Sequence, residues 1–293
     1  LVRAGDGGDY VVIRTDAAGH ALPDWRSATG SSEVDVSEIV ALPDGGAVVS
    51  GQGSFLDGGY VTVRFDAQGH TVFSDVELGE IGNPLGPARV RADANGDFII
   101  AAAPESMFGE PLAQVWKLGA DGSRRWTRVL PNPLDDLASL QVGGLALTAQ
   151  GDVLVEAFSV SDQRFRLLRL DGASGEVLLD SVAAVGGTPT TLTSAPNGRV
   201  LVGGYDFIDS SGHVGARMVE FDAAGAPCRS SMDLAMFSSI AATAGAEGWT
   251  VLGTSAFVAN VGNDAVVRRY DADGPCDGAD AIFANGFEAA GLR

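Results

Sequence analysis

The chain is poor in the residues that most enzymes use for chemistry. It holds three histidines and two cysteines in 293 residues. His20 and His70 occupy the same place in two copies of a repeat, and a lone His213 cannot assemble a zinc or copper site of two or three imidazoles. No G-x-S-x-G elbow, H-E-x-x-H helix or phosphate-cradling glycine loop occurs. No apolar run approaches the ~18 residues of a membrane-spanning helix. Basic residues are few as well, with 19 Lys and Arg against 38 Asp and Glu, a formal charge of −19. That balance opposes phosphate backbones and anionic membranes and so argues against nucleic acid as a partner.

What the chain has in quantity is turns. Forty glycines and twelve prolines accompany 45% hydrophobic residues, enough apolar surface for a packed body. One signature recurs six times: VVIRTDAAGH, VTVRFDAQGH, VWKLGADGS, LLRLDGASGE, MVEFDAAGA and VVRRYDADG. Its turns open at Asp16, Asp66, Gly119, Asp171, Asp222 and Asp271, in steps of 50, 53, 52, 51 and 49. A second signature alternates with it: ALPDGGAVVSG, ADANGDFIIAA, LTAQGDVLVEA, SAPNGRVLVGG and TAGAEGWTVLG, with turn glycines at Gly46, Gly96, Gly151, Gly198 and Gly248. Two hairpins per repeat of about fifty residues means four strands, A to D, and predicts an all-β fold, a β-propeller of about six four-stranded blades.

Residues 1–276 are expected to form that propeller and residues 277–293 a tail. Only five A/B hairpins accompany six C/D hairpins, so residues 1–30 are expected to supply a C/D pair alone, followed by five full repeats. The N-terminal blade is then incomplete, residues upstream of Leu1 are implied, and the whole protein would carry six to eight blades. Apolar runs without alternation, such as FIIAAA and VLVEA, suit strands covered on both faces. Small residues closing strand B (Gly51, Ala102, Ala157, Gly203, Gly253) let neighbouring sheets approach.

The stretch GGAVVSG…GYVTVRFDAQGH resembles bacterial β-propeller repeats of the delta-60 type, and LGADGSRRW resembles the turn before the Trp of quinoprotein-like repeats. These resemblances cover residues 10–275. The segment Ala281-Ile282-Phe283-Ala284-Asn285-Gly286-Phe287-Glu288 resembles an IF-x-x-GFE tail that ends some Gram-negative exported proteins. It implies a secreted or envelope-associated protein. Cys228 and Cys276 fall six and five residues after their turn aspartates; a disulfide suits export, yet equivalent points on adjacent outer strands should exceed the ~7 Å Cα limit unless the tail moves to close the gap.

Five polar features carry expectations. The Asp-x-x-Gly turns are explained by hairpin geometry, with Asp bonding amides two residues on and Gly supplying positive φ. Asp93-x-Asn95-Gly96-Asp97 and Asp271-x-Asp273-Gly274 place oxygens at alternate positions, as a calcium loop does, without the distal bidentate Glu. Two residues before each turn-opening residue stand Arg14, Arg64, Lys117, Arg169, Glu220 and Arg269; an inter-blade ion pair or a packed aliphatic stem accounts for them, a ring of anion-binding cations is the alternative, and Glu220 breaks it. Glu156 closes a strand-B run where other copies have Ser, Ala or Gly, as a rim carboxylate or a pocket group. Trp25, Trp116, Trp126 and Trp249 are expected to pack between blades, and Trp25 offers a carbohydrate platform if exposed.

Both tight turns of a blade lie at one end, so the longer B–C and D–A loops gather at the other. The B–C loops carry aromatics: Phe55, Phe108, Phe158, Tyr205 with Phe207, and Phe257. They are either covers for the blade tops or a platform for a partner. The expected function is a monomeric, non-catalytic binding module for a protein, glycan or small ligand, needing no cofactor apart from a calcium ion that the acidic turns would suit. One alternative is a lactonase-like or quinoprotein-like enzyme with Glu156, Asp206 or Asp209 holding calcium. Another is a structural repeat module of a larger exported chain.

Overall fold

The computed structural model describes residues 2–4, 9–28, 34–53, 59–78, 86–103, 113–131, 140–159, 164–207, 214–234, 236–245, 248–255 and 265–271. All regular structure among them is antiparallel β. The chain divides into two compact units, Leu1–Val142 and Gly143–Arg293.

The first unit opens with a sheet ordered β1 (Val2–Ala4), β2 (Asp9–Thr15) and β3 (Ala21–Ala28). Next comes a four-stranded meander of β4 (Val34–Ala41), β5 (Ala47–Gly53), β6 (Gly59–Phe65) and β7 (Thr71–Leu78). The third sheet repeats it with β8 (Arg89–Ala92), β9 (Phe98–Ala102), β10 (Gln114–Leu118) and β11 (Arg124–Val129). The division into units falls within β12 (Leu140–Leu147), whose sheet continues with β13 (Val153–Ser159), β14 (Arg164–Leu170) and β15 (Val177–Gly186). The second unit adds β16 (Thr188–Ser194), β17 (Val200–Phe207), β18 (Val214–Phe221) and β19 (Pro227–Asp233), then a sheet of β20 (Met236–Gly245), β21 (Gly248–Ser255) and β22 (Ala265–Asp271). Each four-stranded meander is the blade expected from the repeat, strand for strand.

One expectation for residues 1–30 is corrected. The opening sheet is not a bare C/D pair: β1 joins β2 with Val2 opposite Val12 and Ala4 opposite Tyr10. A three-residue strand followed by GDGG carries neither hairpin signature, which is why the repeat hides it. The last sheet has three strands among the described residues, and residues 272–293, with the tail segment, lie outside them.

Successive sheets pack face to face within each unit. Alternation sends Ala47 and Val49 toward Tyr10, Val12 and Trp25 of the first sheet. Val48 on the same strand faces Val90, Phe98 and Ile100 of the third. In the second unit Leu154, Phe165 and Leu167 meet Leu192, Val200 and Val202, while Leu201 and Met218 meet Trp249 and Tyr270. Strand β9 is buried at every position, whereas the outer strand β11 alternates exposed and half-buried residues. Central strands therefore lack the polar alternation of a half-solvated sheet because both of their faces are covered. Tyr10 donates to the Val61 carbonyl at 3.0 Å, and one repeat later Tyr60 donates to Ala103 at 3.2 Å, tying each blade to the next. Burial drives the phenols of both well above their ordinary pKa.

The turns obey the hairpin account. In the C/D turns Gly19, Gly69, Gly122, Gly175 and Gly225 have φ between 73° and 88°. Asp16 Oδ1 accepts the amides of Ala18 and His20, and Asp66 Oδ1 those of Gln68 and His70. His20 and His70 place Nδ1 at 3.0 and 3.1 Å from the same carboxylates. In the A/B turns the left-handed glycine of the first copy is Gly45 rather than Gly46, and Gly248, with φ 148°, begins β21. At the strand-B close, a Cβ on Gly51 would collide with the Asp35 carbonyl and lie 2.6 Å from the Tyr10 hydroxyl.

Candidate functional site

The recurrent basic position sits at a recurrent irregularity. The register between strands C and D shifts immediately after Arg64, Lys117, Arg169 and Glu220, leaving Val72, Arg125, Leu178 and Cys228 as extra residues on strand D. Each basic side chain reaches the A/B turn of its own blade. Arg64 Nη2 lies 2.9 Å from Asp44, Lys117 Nζ 2.8 Å from Asp93 and 3.4 Å from Asp97, and Arg169 Nε 2.8 Å from Asp152. This replaces the expected inter-blade ion pair with an intra-blade one. A bond between blades does exist, from the Arg64 guanidinium to the Ala120 carbonyl.

Glu220 completes the pattern with reversed charge. It is fully buried, paired with Arg199 of its own A/B turn and with Arg229 on β19, whose Nε donates at 2.8 Å. Arg64, Lys117 and Arg169 are thus spent on turn carboxylates.

The calcium candidates separate. Asp93 Oδ1 accepts the amides of Asn95 and Asp97 at 2.8 and 3.0 Å, and the cation facing Asp93 and Asp97 is the Lys117 ammonium. Burial raises the Asp93 pKa, but Lys117 and the two amides outweigh it and hold the carboxyl below its ordinary value. Asp271 ends β22, and its side chain and Asp273 lie outside the described residues. Among the described residues no group of three His, Cys, Asp or Glu side chains is placed to hold a metal ion.

The B–C aromatics are only partly a loop series. Phe55, Phe108 and Phe257 lie outside the described residues, as does Asp209. Phe158 lies on β13, 7% exposed, and belongs to the interior rather than to a platform. Tyr205 and Phe207 also belong to a strand, β17, which runs to the last described residue before the B–C segment. Strand alternation puts both on one face, Tyr205 half-buried and Phe207 56% exposed. Between them in sequence, Asp206 Oδ2 pairs with Arg217 Nη2 of β18 at 3.0 Å. An exposed ring, a half-exposed phenol and a guanidinium–carboxylate pair therefore share one blade end.

Glu156 is neither at a rim nor on an open pocket wall. It is fully buried, opposite Leu167 in the ladder, in room that a Cβ on Gly143 would fill, beside Pro189 of β16. Trp25 is 6% exposed and stacks on Phe65, so it is packing and not a carbohydrate platform. Cys228 is buried and disulfide-bonded; Cys276 lies outside the described residues.

One further feature has no counterpart among the repeat motifs. At the tight-turn end of the second unit, a cleft of about 430 Å³ opens between the blades of β12–β15 and β16–β19. Leu154, Leu167, Leu179 and Val200 form its apolar wall, and Arg169 and Asn197 are among its polar ones. Its signal is a loss of ring size at two repeat positions, visible only once register aligns the blades.

No protein-family model matches the chain, and no curated protein sequence matches it. Solved structures do. Puromycin hydrolase aligns over 90% of this chain with TM-score 0.56 and 15% identity, the chain spanning 40% of that protein's length. A protein of unknown function from Dyadobacter fermentans aligns over 90% of this chain and 91% of its own, with TM-score 0.53 and 14% identity. The Dos1 propeller aligns over 89% of this chain and 67% of its own, with TM-score 0.53 and 11% identity. Likeness at such identity speaks of fold, and the fold is a β-propeller.

Proposed function

We propose that the chain is an exported, non-catalytic propeller module that binds a protein or glycan through the blade ends carrying the B–C segments. The observation behind this is Phe207. A phenylalanine 56% exposed at a strand end, on the same face as the half-buried Tyr205, offers an apolar anchor with a phenol on its own face. Binding surfaces favour that combination, since exposed aromatic residues, tyrosine and phenylalanine among them, are enriched there and supply contact area. The formal charge of −19 directs the choice away from nucleic acid and toward neutral or basic partners.

The experiment is a screen of arrayed glycans and displayed peptides with the wild type and Phe207→Ser. Because the ring is exposed, the substitution should change stability by no more than ~0.5 kcal/mol. Hits retained by the wild type should weaken at least tenfold in the variant at an unchanged unfolding midpoint. Hits that bind both proteins equally would reject this blade end as the binding surface.

A further inference from the structure

The repeat supplies an internal standard for the gap between adjacent blades at the tight-turn end. Between the first and second sheets the gap holds Trp25, seated beneath Gly69 of the next C/D turn, with the Arg14 guanidinium 4.0 Å from its ring centre. Between the second and third it holds two rings, Phe73 and Phe98, with centres 5.8 Å apart. Phe73 lies against Gly122, and the Arg64 guanidinium is 5.7 Å from the Phe98 ring centre. Each gap therefore contains an arginine from the recurrent basic position and an aromatic ring beside it.

Register identifies the corresponding residues between the fourth and fifth sheets. Leu179 opposes Arg169 as Phe73 opposes Arg64, and it lies against Gly225 as Phe73 lies against Gly122. Val200 opens strand B two residues after its left-handed glycine, as Phe98 does. Both rings are thus replaced by smaller aliphatic side chains while arginine and glycine stay. The cleft of about 430 Å³ is in this place, with Leu179, Val200, Gly225 and Arg169 on its wall.

We propose that this cleft is a binding site for a neutral, planar aromatic molecule of one or two rings, occupying the volume that Phe73 and Phe98 fill between the second and third sheets. Leucine and valine side chains face the ring, and the Arg169 guanidinium offers a cationic face of the kind that attracts aromatic π-systems. Asp152 already neutralises Arg169 at 2.8 Å, and the chain as a whole is strongly acidic, so an anionic ligand gains little here. The volume lies in the range of ordinary small-molecule pockets. All of these residues belong to one compact unit.

Indole is the probe, and its binding is measured by isothermal calorimetry with the wild type, Leu179→Phe and Val200→Phe. The wild type should bind it saturably. Each variant restores a ring found in the second and third blades, so each should raise the unfolding midpoint and weaken indole at least tenfold. No saturable binding by the wild type, or equal affinity in both variants, overturns the proposal. Should both filled variants fail to fold, Arg169→Leu carries the test: indole affinity falls if the guanidinium face is used, and unchanged affinity overturns the proposal.

Discussion

Glu220 and Arg199 form the same strand-to-turn pair as Lys117 and Asp97, with the two charges exchanged. Each acid or base stands two residues before the C/D turn, and each partner follows the left-handed glycine of the A/B turn. The third member differs in kind. Trp126 opposes Lys117 across the ladder, where Arg229 opposes Glu220 and supplies a second buried cation. The reversed pair is thus accompanied by a different residue at the opposing position.

That relationship predicts the outcome of a transplant. Glu220→Lys sets a cation between Arg199 and Arg229 and should cost about 3–5 kcal/mol, as removal of one partner from a buried ion pair does. The triple variant Arg199→Asp, Glu220→Lys, Arg229→Trp reproduces the third blade and should recover most of that loss. Chemical denaturation of the three proteins measures it. A triple variant no more stable than Glu220→Lys would show that the blades are not interchangeable at this position.

Acid should destabilise the protein through its turn carboxylates, and Asp93 is the best enclosed of them. Its folded pKa lies below the ordinary 3.8 despite burial, because Lys117 and the amides of Asp97 and Asn95 bond the charged form. A depressed carboxyl contributes stability that is present above 3.8 and is lost as pH falls through the folded value. Asp93→Asn should therefore cost about 1–3 kcal/mol at neutral pH, and the gap from wild type should close in strong acid. Denaturant midpoints across pH 2–7 test the sign; a gap that persists unchanged at low pH would assign the loss to packing rather than to charge.

The architecture was legible because turn chemistry is local. An aspartate capping amides two residues on and a glycine at positive φ leave a signature that needs no tertiary contact, so every described C/D hairpin falls where the repeat places it. What depends on register was not legible. The bulge after Arg64, Lys117, Arg169 and Glu220 decides that the side chain meets its own blade's turn, and spacing along the chain does not encode a bulge. Phe158 differs from the loop position expected of it for a related reason: β13 continues past Ala157, and a strand end is set by pairing rather than by the residue type that closes the apolar run. The cleft leaves no mark in the sequence because Leu179 and Val200 are ordinary strand residues, and only alignment with Phe73 and Phe98 shows the missing rings.

The cysteine chemistry offers the last test. Cys228 is the extra residue of the β19 bulge, 8% exposed and disulfide-bonded, whereas the matching extra residues Val72 and Leu178 are 44% and 56% exposed. The chain has one other cysteine, Cys276, and an intramolecular bond to it would close a loop spanning most of one repeat. A crosslink of that length should contribute about 2–4 kcal/mol, chiefly by restricting the unfolded chain. Peptide mapping without reductant should recover the Cys228 and Cys276 peptides as one species, and reduction should lower the unfolding midpoint of the wild type while leaving Cys228→Ser/Cys276→Ser unmoved. Separate peptides carrying free thiols, or an equal response of both proteins to reductant, would exclude the bond.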